Sequence, residues 1–279
     1  MTSGGCPPPG PALEEEGDPP PKKHGGGQAA GLLFLMKDTA RENTLKYPGS
    51  AKDCEAAFGM ALTTDQDNAV LDRIIGKRRS HRRFTQEIPP DAMVEGIIHA
   101  GLHAPFAAAA IGNSEDYFRR FVVVRKGSRA MKELVPLAFN TVEAMAGDLE
   151  RAAAGNPGLR EQAAGFMNRL AAIKSMGMVP GIGTAPFYIV AAEKKGFPPV
   201  EQLSLAHCME NMWLKATALG LGFQIVSVTA QMADNSEFCR IIGLEAGKWA
   251  LMGCATGYPA DTLSPSIRPS VREVTAWPE

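Results

Sequence analysis

Cysteine is scarce in this chain and poorly placed for cross-linking. Five residues, Cys6, Cys54, Cys208, Cys239 and Cys254, are scattered over 279 positions, with no C-x-x-C pair and no paired histidines at zinc spacing. This excludes a disulfide framework and a structural zinc site, and predicts unpaired thiols in a reducing compartment. No metal is expected. Long apolar runs are also missing: the nearest, Gly31 to Met36, falls far short of the roughly 20 residues that span a bilayer. The N-terminus lacks the basic start and directly following apolar segment of a secretory signal, so the expectation is a cytoplasmic protein without membrane contact. Neither sign of charge is in excess. With 29 Lys and Arg against 30 Asp and Glu, no broad field draws the chain to nucleic acid, and any anion site must be local. A G-x-G-x-x-G fingerprint after a strand is absent as well.

What is present is an ordinary globular composition, 45% hydrophobic and 21% charged, long enough for a sizeable core. Residues 1–28 are half Gly and Pro with almost nothing apolar to bury, and read as a disordered tail. Residues 29–64 read as a mixed N-terminal extension without an assigned role, and the compact domain spans 65–279. Asp67 is a candidate cap for a helix with Val70, Leu71, Ile74 and Ile75 at helical spacing, stopped by Gly76. A second helix opens after Pro89-Pro90 with Met93, Ile97, Ile98 and Leu102 on one face. Strands are expected at Phe121–Val124, Ala185–Ala192, Phe223–Val228 and Trp249–Gly257. A helical insertion covers about 128–178, broken near Gly155–Gly158. The strongest apolar helical stripe follows Pro198-Pro199 and runs through Leu205, Met209, Met212, Trp213, Ala216 and Leu219. A short helix near 235–242 precedes the last strand. The fold class is α+β, a sheet flanked by helices.

The densest polar cluster is Arg78-Arg79-Ser80-His81-Arg82-Arg83-Phe84, where the first helix ends. Guanidiniums this close repel one another, so the cluster is either a solvated basic turn or an anion site. Arg suits phosphate because its planar fork donates two parallel hydrogen bonds. Nucleic acid is disfavoured, because no interleaved aromatics or broad basic stripe accompany the cluster.

The stretch from Ile74 to Pro90, with RRSHRRF followed by a two-proline helix start, resembles the opening motif of the nitroreductase family of flavin enzymes. Three further passages agree in order and spacing: Ala104-Pro105, the run from Asn211 to Ser227, and Gly253–Pro259 followed by Arg268-Pro269. The resemblance covers about 65–279. It implies a helix-flanked antiparallel sheet in an intertwined homodimer with FMN at the subunit interface. Carried over by position, Arg78, Arg79 and Ser80 would hold the FMN phosphate, Arg82 would lie near the pyrimidine end of the ring, and Arg268 would close on the phosphate. Main chain of Ile225, Ser227 and Val228 would line the ring. A cation beside the pyrimidine suits an anionic reduced flavin.

One departure stands out. Where many members carry A-P-S and then Asn, this chain reads Ala104-Pro-Phe106 with Ala109, and the next asparagine is Asn113. The resemblance implies an oxidoreductase taking hydride from NAD(P)H through flavin N5 to a small electron-poor acceptor in a ping-pong cycle. In that design no side chain need act as acid or base. The competing expectation is a flavin- or nucleotide-binding carrier or sensor that has lost the ring contacts at Phe106 and Ala109. The 128–178 insertion is the candidate pocket lid.

Overall fold

The computed structural model describes residues 64–107 and 117–278. The expected tail 1–28 and extension 29–64 lie outside these residues apart from Thr64. In chain order the helices and strands are α1 (Thr64–Lys77), α2 (Asp91–Leu102), β1 (Arg119–Arg125), α3 (Arg129–Ala154), α4 (Pro157–Met176), β2 (Phe187–Lys194), α5 (Glu201–Ala218), β3 (Gly222–Val226), α6 (Ser236–Ile242), β4 (Trp249–Gly257) and α7 (Val271–Val274). The strands form an antiparallel sheet in the order β1-β2-β4-β3.

Local signals explain most boundaries. The Ser128 side chain accepts a hydrogen bond from Met131 N at the start of α3, and Asn156 accepts from Leu159 N at the start of α4, with Pro157 in the first helical position. Gly177 ends α4 in the left-handed region at φ 66°. Asn235 caps α6 in the same way as Asn156. Asp67 is not a cap: α1 already includes Thr64, and Asp67 lies in its first turn, where a carboxylate still favours the helix dipole. The third strand ends at Val226, short of the expected Val228, because Ser227–Met232 winds into a 3-10 turn. The Thr229 hydroxyl stabilises this turn by donating to Val226 O at 2.7 Å.

Alternation along β2 builds two cores, one on each face. Tyr188, Val190 and Ala192 face one cluster with Leu134, Val142 and Leu170 from α3 and α4. Phe187, Ile189 and Ala191 face the other, with Ile97 from α2 and Leu205, Met209 and Met212 from α5. The stripe expected on α5 is therefore core, with Trp213 and Leu219 at its margin. The helix α1 is the exception, since none of its residues is buried within the chain.

β1 begins two residues before the expected apolar run, with a buried charge. Register pairs Arg119 with Glu193 across β1 and β2, and Arg119 Nε donates to Glu193 Oε1 at 2.7 Å. Its Nη1 donates to Gly101 O at 2.7 Å, which fastens the end of α2 to the sheet. Burial pushes the Glu193 carboxyl above the ordinary carboxylate range, and Arg119 pulls against that shift. Removing one partner strands the other in a dry site, which typically costs about 3–5 kcal/mol. Arg119→Met is thus expected to lower the unfolding free energy by about that amount in urea titrations. The double change Arg119→Met with Glu193→Leu should be less harmful than the single one; equal or greater loss would show that the pair does not anchor α2 through charge.

Candidate functional site

The basic turn after α1 is held by main chain along the edge of β3. Ser80 forms a parallel bridge with Phe223, and His81 N donates to Phe223 O at 3.1 Å. Farther on, Thr85 N donates to Tyr258 O at 2.9 Å, and Ala260 N donates to Arg83 O at 3.1 Å. The turn is thereby fixed at both ends to β3 and to the chain leaving β4. This close approach needs Gly222, because a Cβ there would stand 2.9 Å from His81 Cβ. Asp261 adds a polar anchor: its carboxylate lies 3.4 Å from His81 Nδ1 and 3.1 Å from Arg83 Nη2. Desolvation opposes ionisation of Asp261, but the hydrogen bonds and charges of His81 and Arg83 outweigh it and hold the carboxyl below its ordinary range.

The arginines divide into different roles. Arg78 Nε lies 3.3 Å from Glu210 Oε1, and its guanidinium sits 4.5 Å above the Trp213 ring. Among the described residues neither Nη nitrogen of Arg78 makes a hydrogen bond. Arg79 donates to the carbonyls of Gly76, Arg78 and Ser264, while Trp213 Nε1 donates to Arg79 O. Arg83 is largely exposed and tied to Asp261. Arg82 points elsewhere, into an open cavity of about 620 Å³.

This cavity lies on the α3–α4 side of the sheet. Its floor is Gln224, Ile225 and Val226 of β3 with Ser227, Val228 and Gln231 of the 3-10 turn. Its far wall is α3 and α4, contributing Met145, Phe166, Arg169, Leu170, Ile173 and Met176. The expected helical insertion thus forms one side of the cavity. Among the described residues the lining holds two cations, Arg82 and Arg169, and no carboxylate. Desolvation, and then the Arg169 charge, lower the pKa of Arg82. The Gln224 side chain donates to Pro180 O at 2.9 Å, and its buried Oε1 has no partner. Under the floor, Thr229 and the Tyr188 hydroxyl lie 2.7 Å apart, and burial pushes the phenol's pKa up, so both stay neutral. Gly253 makes room for this bond, since a Cβ there would overlap Thr229.

The sequence-derived residues therefore fall into three places. Arg82, Ile225, Ser227 and Val228 line the cavity, and Arg78, Arg79 and Ser80 lie along the same β3 edge. Arg268 stands in the exposed C-terminal segment, where its Nη1 donates to Ile267 O at 3.3 Å. Phe106 is half exposed against Phe118, ring centroids 4.3 Å apart, and Ala109 and Asn113 lie outside the described residues. Sequence reasoning missed Gln224, Arg169 and Asp261. Two of these left a signal: Gln224 is a lone amide inside an apolar strand, and Arg169 a lone cation among Phe166, Leu170 and Ile173. Asp261 left none.

Among the described residues no group of three or more His, Cys, Asp or Glu is placed to hold a metal, and no helix is long and apolar enough to cross a membrane. Cys208, Cys239 and Cys254 are free and buried. Desolvation raises the Cys208 pKa to about 11, which leaves it a poor nucleophile.

Known proteins share this architecture. An FMN-bound nitroreductase from Bacteroides fragilis superposes with a TM-score of 0.52 at 19% identity, covering 75% of this chain and 98% of its own. An FMN-bound nitroreductase from Desulfitobacterium hafniense gives 0.53 at 20% identity, covering 75% and 98%. An iodotyrosine deiodinase bound to FMN and 3-iodo-L-tyrosine gives 0.52 at 17%, covering 72% and 96%. No curated protein sequence matches the chain. The model of the nitroreductase family matches residues 75–258, more than half of the chain, and together with the four-stranded antiparallel sheet and its flanking helices this makes the chain a member of the nitroreductase family.

Proposed function

We propose that the chain is an FMN-dependent oxidoreductase, active as a homodimer, that passes reducing equivalents from NAD(P)H to a small electron-poor acceptor such as a nitroaromatic or quinone. The observation that carries this reading is the cavity beside the basic turn, with Arg82 unpaired among the described residues, Gln224 Oε1 without a partner and residues 225–228 along its floor. An unsatisfied buried acceptor calls for a hydrogen-bond donor and an uncompensated cation for an electron-rich group, so a fitting guest offers both. FMN supplies both a ring that needs such contacts and a phosphate that needs guanidinium forks. The FMN-bound relatives of the same fold support this choice.

In this reading the chemistry of two-electron exchange belongs to the flavin, and the chain holds and orients. The free Nη nitrogens of Arg78, the remaining donor capacity of Arg79 and the Ser80 hydroxyl hold the phosphate. Arg82 faces the pyrimidine end and stabilises negative charge there. Main chain of Ile225, Ser227 and Val228 lies along the ring, and α3 with α4 restricts access from the far side. Arg268 joins the phosphate contacts when its segment is ordered against a second subunit. The free buried thiols accord with a reducing compartment, the cytoplasm.

Dimerisation has its own support. α1 carries Leu71 and Ile75 about half exposed, and the C-terminal segment exposes Ile267, Val271, Val274 and Trp277. An amphipathic helix and an apolar tail left uncovered mark an association surface. Light scattering should give twice the chain mass, and charge placed on the face by Leu71→Glu with Ile75→Glu should produce monomer that loses flavin. A wild-type monomer retaining full FMN would reject the dimer.

Purified protein is expected to be yellow and to bleach under anaerobic NADH or NADPH. Yellow protein that neither nucleotide bleaches identifies a carrier or sensor instead, and colourless protein that fails to take up added FMN defeats the flavin reading altogether. Arg78→Ala and Arg268→Ala should each weaken FMN retention by roughly ten-fold or more, the effect of losing a charge-assisted hydrogen bond of about 1.5–3 kcal/mol. Equilibrium dialysis measures it; unchanged retention in either variant removes that arginine from the phosphate site.

A further inference from the structure

The side of the cavity opposite the strand floor is built by one face of α4, and this face is unusual. Phe166, Arg169, Leu170, Ile173 and Met176 follow the spacing of a single helical stripe, and all line the cavity. Four of the five are apolar, so the chain has placed a guanidinium in the middle of a hydrophobic wall. Arg169 is exposed here, so water meets its charge while the cavity is open, and a guest that displaces that water must offer an anion in its place. Among the described residues Arg169 forms no ion pair or hydrogen bond, and its electrostatic neighbour across the cavity is another cation, Arg82. No Asp or Glu lines the space.

Helix composition does not account for the placement. Lys174 and Arg160 of the same helix are also exposed, yet neither lines the cavity, whereas Arg169 does. A solvated role alone would be served by any of the outward positions. Arg82 comes from the floor side and Arg169 from the insertion, so the two cations reach the cavity from separate parts of the chain. With Arg82 assigned to the flavin ring, one positive charge remains for whatever lies between ring and helix. The apolar neighbours Phe166, Ile173 and Met176 give that guest a hydrophobic, ring-accepting surface.

We propose that Arg169 is a specificity residue of this cavity and that it selects planar aromatic acceptors bearing a carboxylate or comparable anionic substituent. The proposal rests on the flavin reading of the same cavity, and it adds the charge class of the acceptor, which that reading leaves open. A guanidinium matches a carboxylate with two parallel hydrogen bonds, and it does so more strongly where apolar walls thin the surrounding water.

The test uses two probes of equal ring size, 4-nitrobenzoate and its neutral methyl ester, titrated into oxidised holoprotein without reductant and followed by isothermal calorimetry and by perturbation of the flavin absorbance. Wild type is expected to bind the carboxylate more tightly than the ester. Arg169→Gln should weaken 4-nitrobenzoate roughly ten-fold or more while moving the ester less than about two-fold, and Arg169→Lys should recover part of the preference. FMN content should stay at the wild-type level in both variants. Equal affinity for the two probes in wild type, a preference that survives Arg169→Gln, or loss of FMN from that variant would each overturn the proposal, the last by showing that Arg169 serves the cofactor. These outcomes are separate from bleaching by NAD(P)H: protein that binds 4-nitrobenzoate through Arg169 but is never reduced refutes the oxidoreductase and leaves the anion selectivity standing.

Discussion

Four guanidiniums within six residues must be held against their mutual repulsion, and the chain does this chiefly with main chain. The bridge of Ser80 to Phe223, the His81 bond to Phe223 O, and the Thr85 and Ala260 bonds around the end of β4 fix the backbone independently of charge. Carboxylates then neutralise selectively: Glu210 meets Arg78 and Asp261 meets His81 and Arg83. Among the described residues Arg82 is left without a carboxylate. A loop that relied on ion pairs for its shape would have had to neutralise every arginine and would have kept nothing for a ligand. Because backbone bonds set the geometry, the turn carries unbalanced positive charge into the cavity at a fixed position.

Much of this was legible in the sequence, for reasons that differ by element. Caps at Ser128, Asn156 and Asn235 involve neighbours three residues away, so they can be read locally. The stripe on α5 is equally local, and its burial followed from length and spacing. The end of β3 was not readable, because Ile225 to Val228 is apolar and β-branched enough to pass for strand throughout. What stops it is the Thr229 hydroxyl turning back on Val226 O three residues away, held there by Tyr188 from β2, and it is this second contact that joins distant segments. The same reason hid Asp261, which lies 180 residues from its partner His81. Arg119 was hidden by its charge: a pattern that sorts charged residues to the surface cannot foresee a cation whose cross-strand neighbour is Glu193.

The buried polar pairs and the cavity also share a design. Arg119 with Glu193, and Tyr188 with Thr229, are polar groups paired inside the protein, and both fasten elements that approach the site from opposite faces of the sheet. The first ties α2 to β1 and β2; the second ties the 3-10 turn to β2. Gly253 permits the second of these approaches, since a methyl group there would collide with Thr229, and Gly222 likewise leaves room for His81 of the basic turn against β3. The floor of the cavity is thus overdetermined.

Its far wall is not. Leu170 is the sole buried residue of α4, whereas α5 buries seven residues beneath the opposite face. With so few apolar contacts to break, α4 should open at a free energy well below that of global unfolding, while the β3 floor should not. A rigid floor and a loosely held wall suit the proposed site, in which a resident ligand would be positioned by strand and turn and an exchanging one admitted past a helix. Placing Arg169 on the loose wall rather than the floor then has a physical consequence. On the proposed role of Arg169, a cation there would contribute most when an anionic guest holds the helix down, so recognition and closure would draw on the same contact.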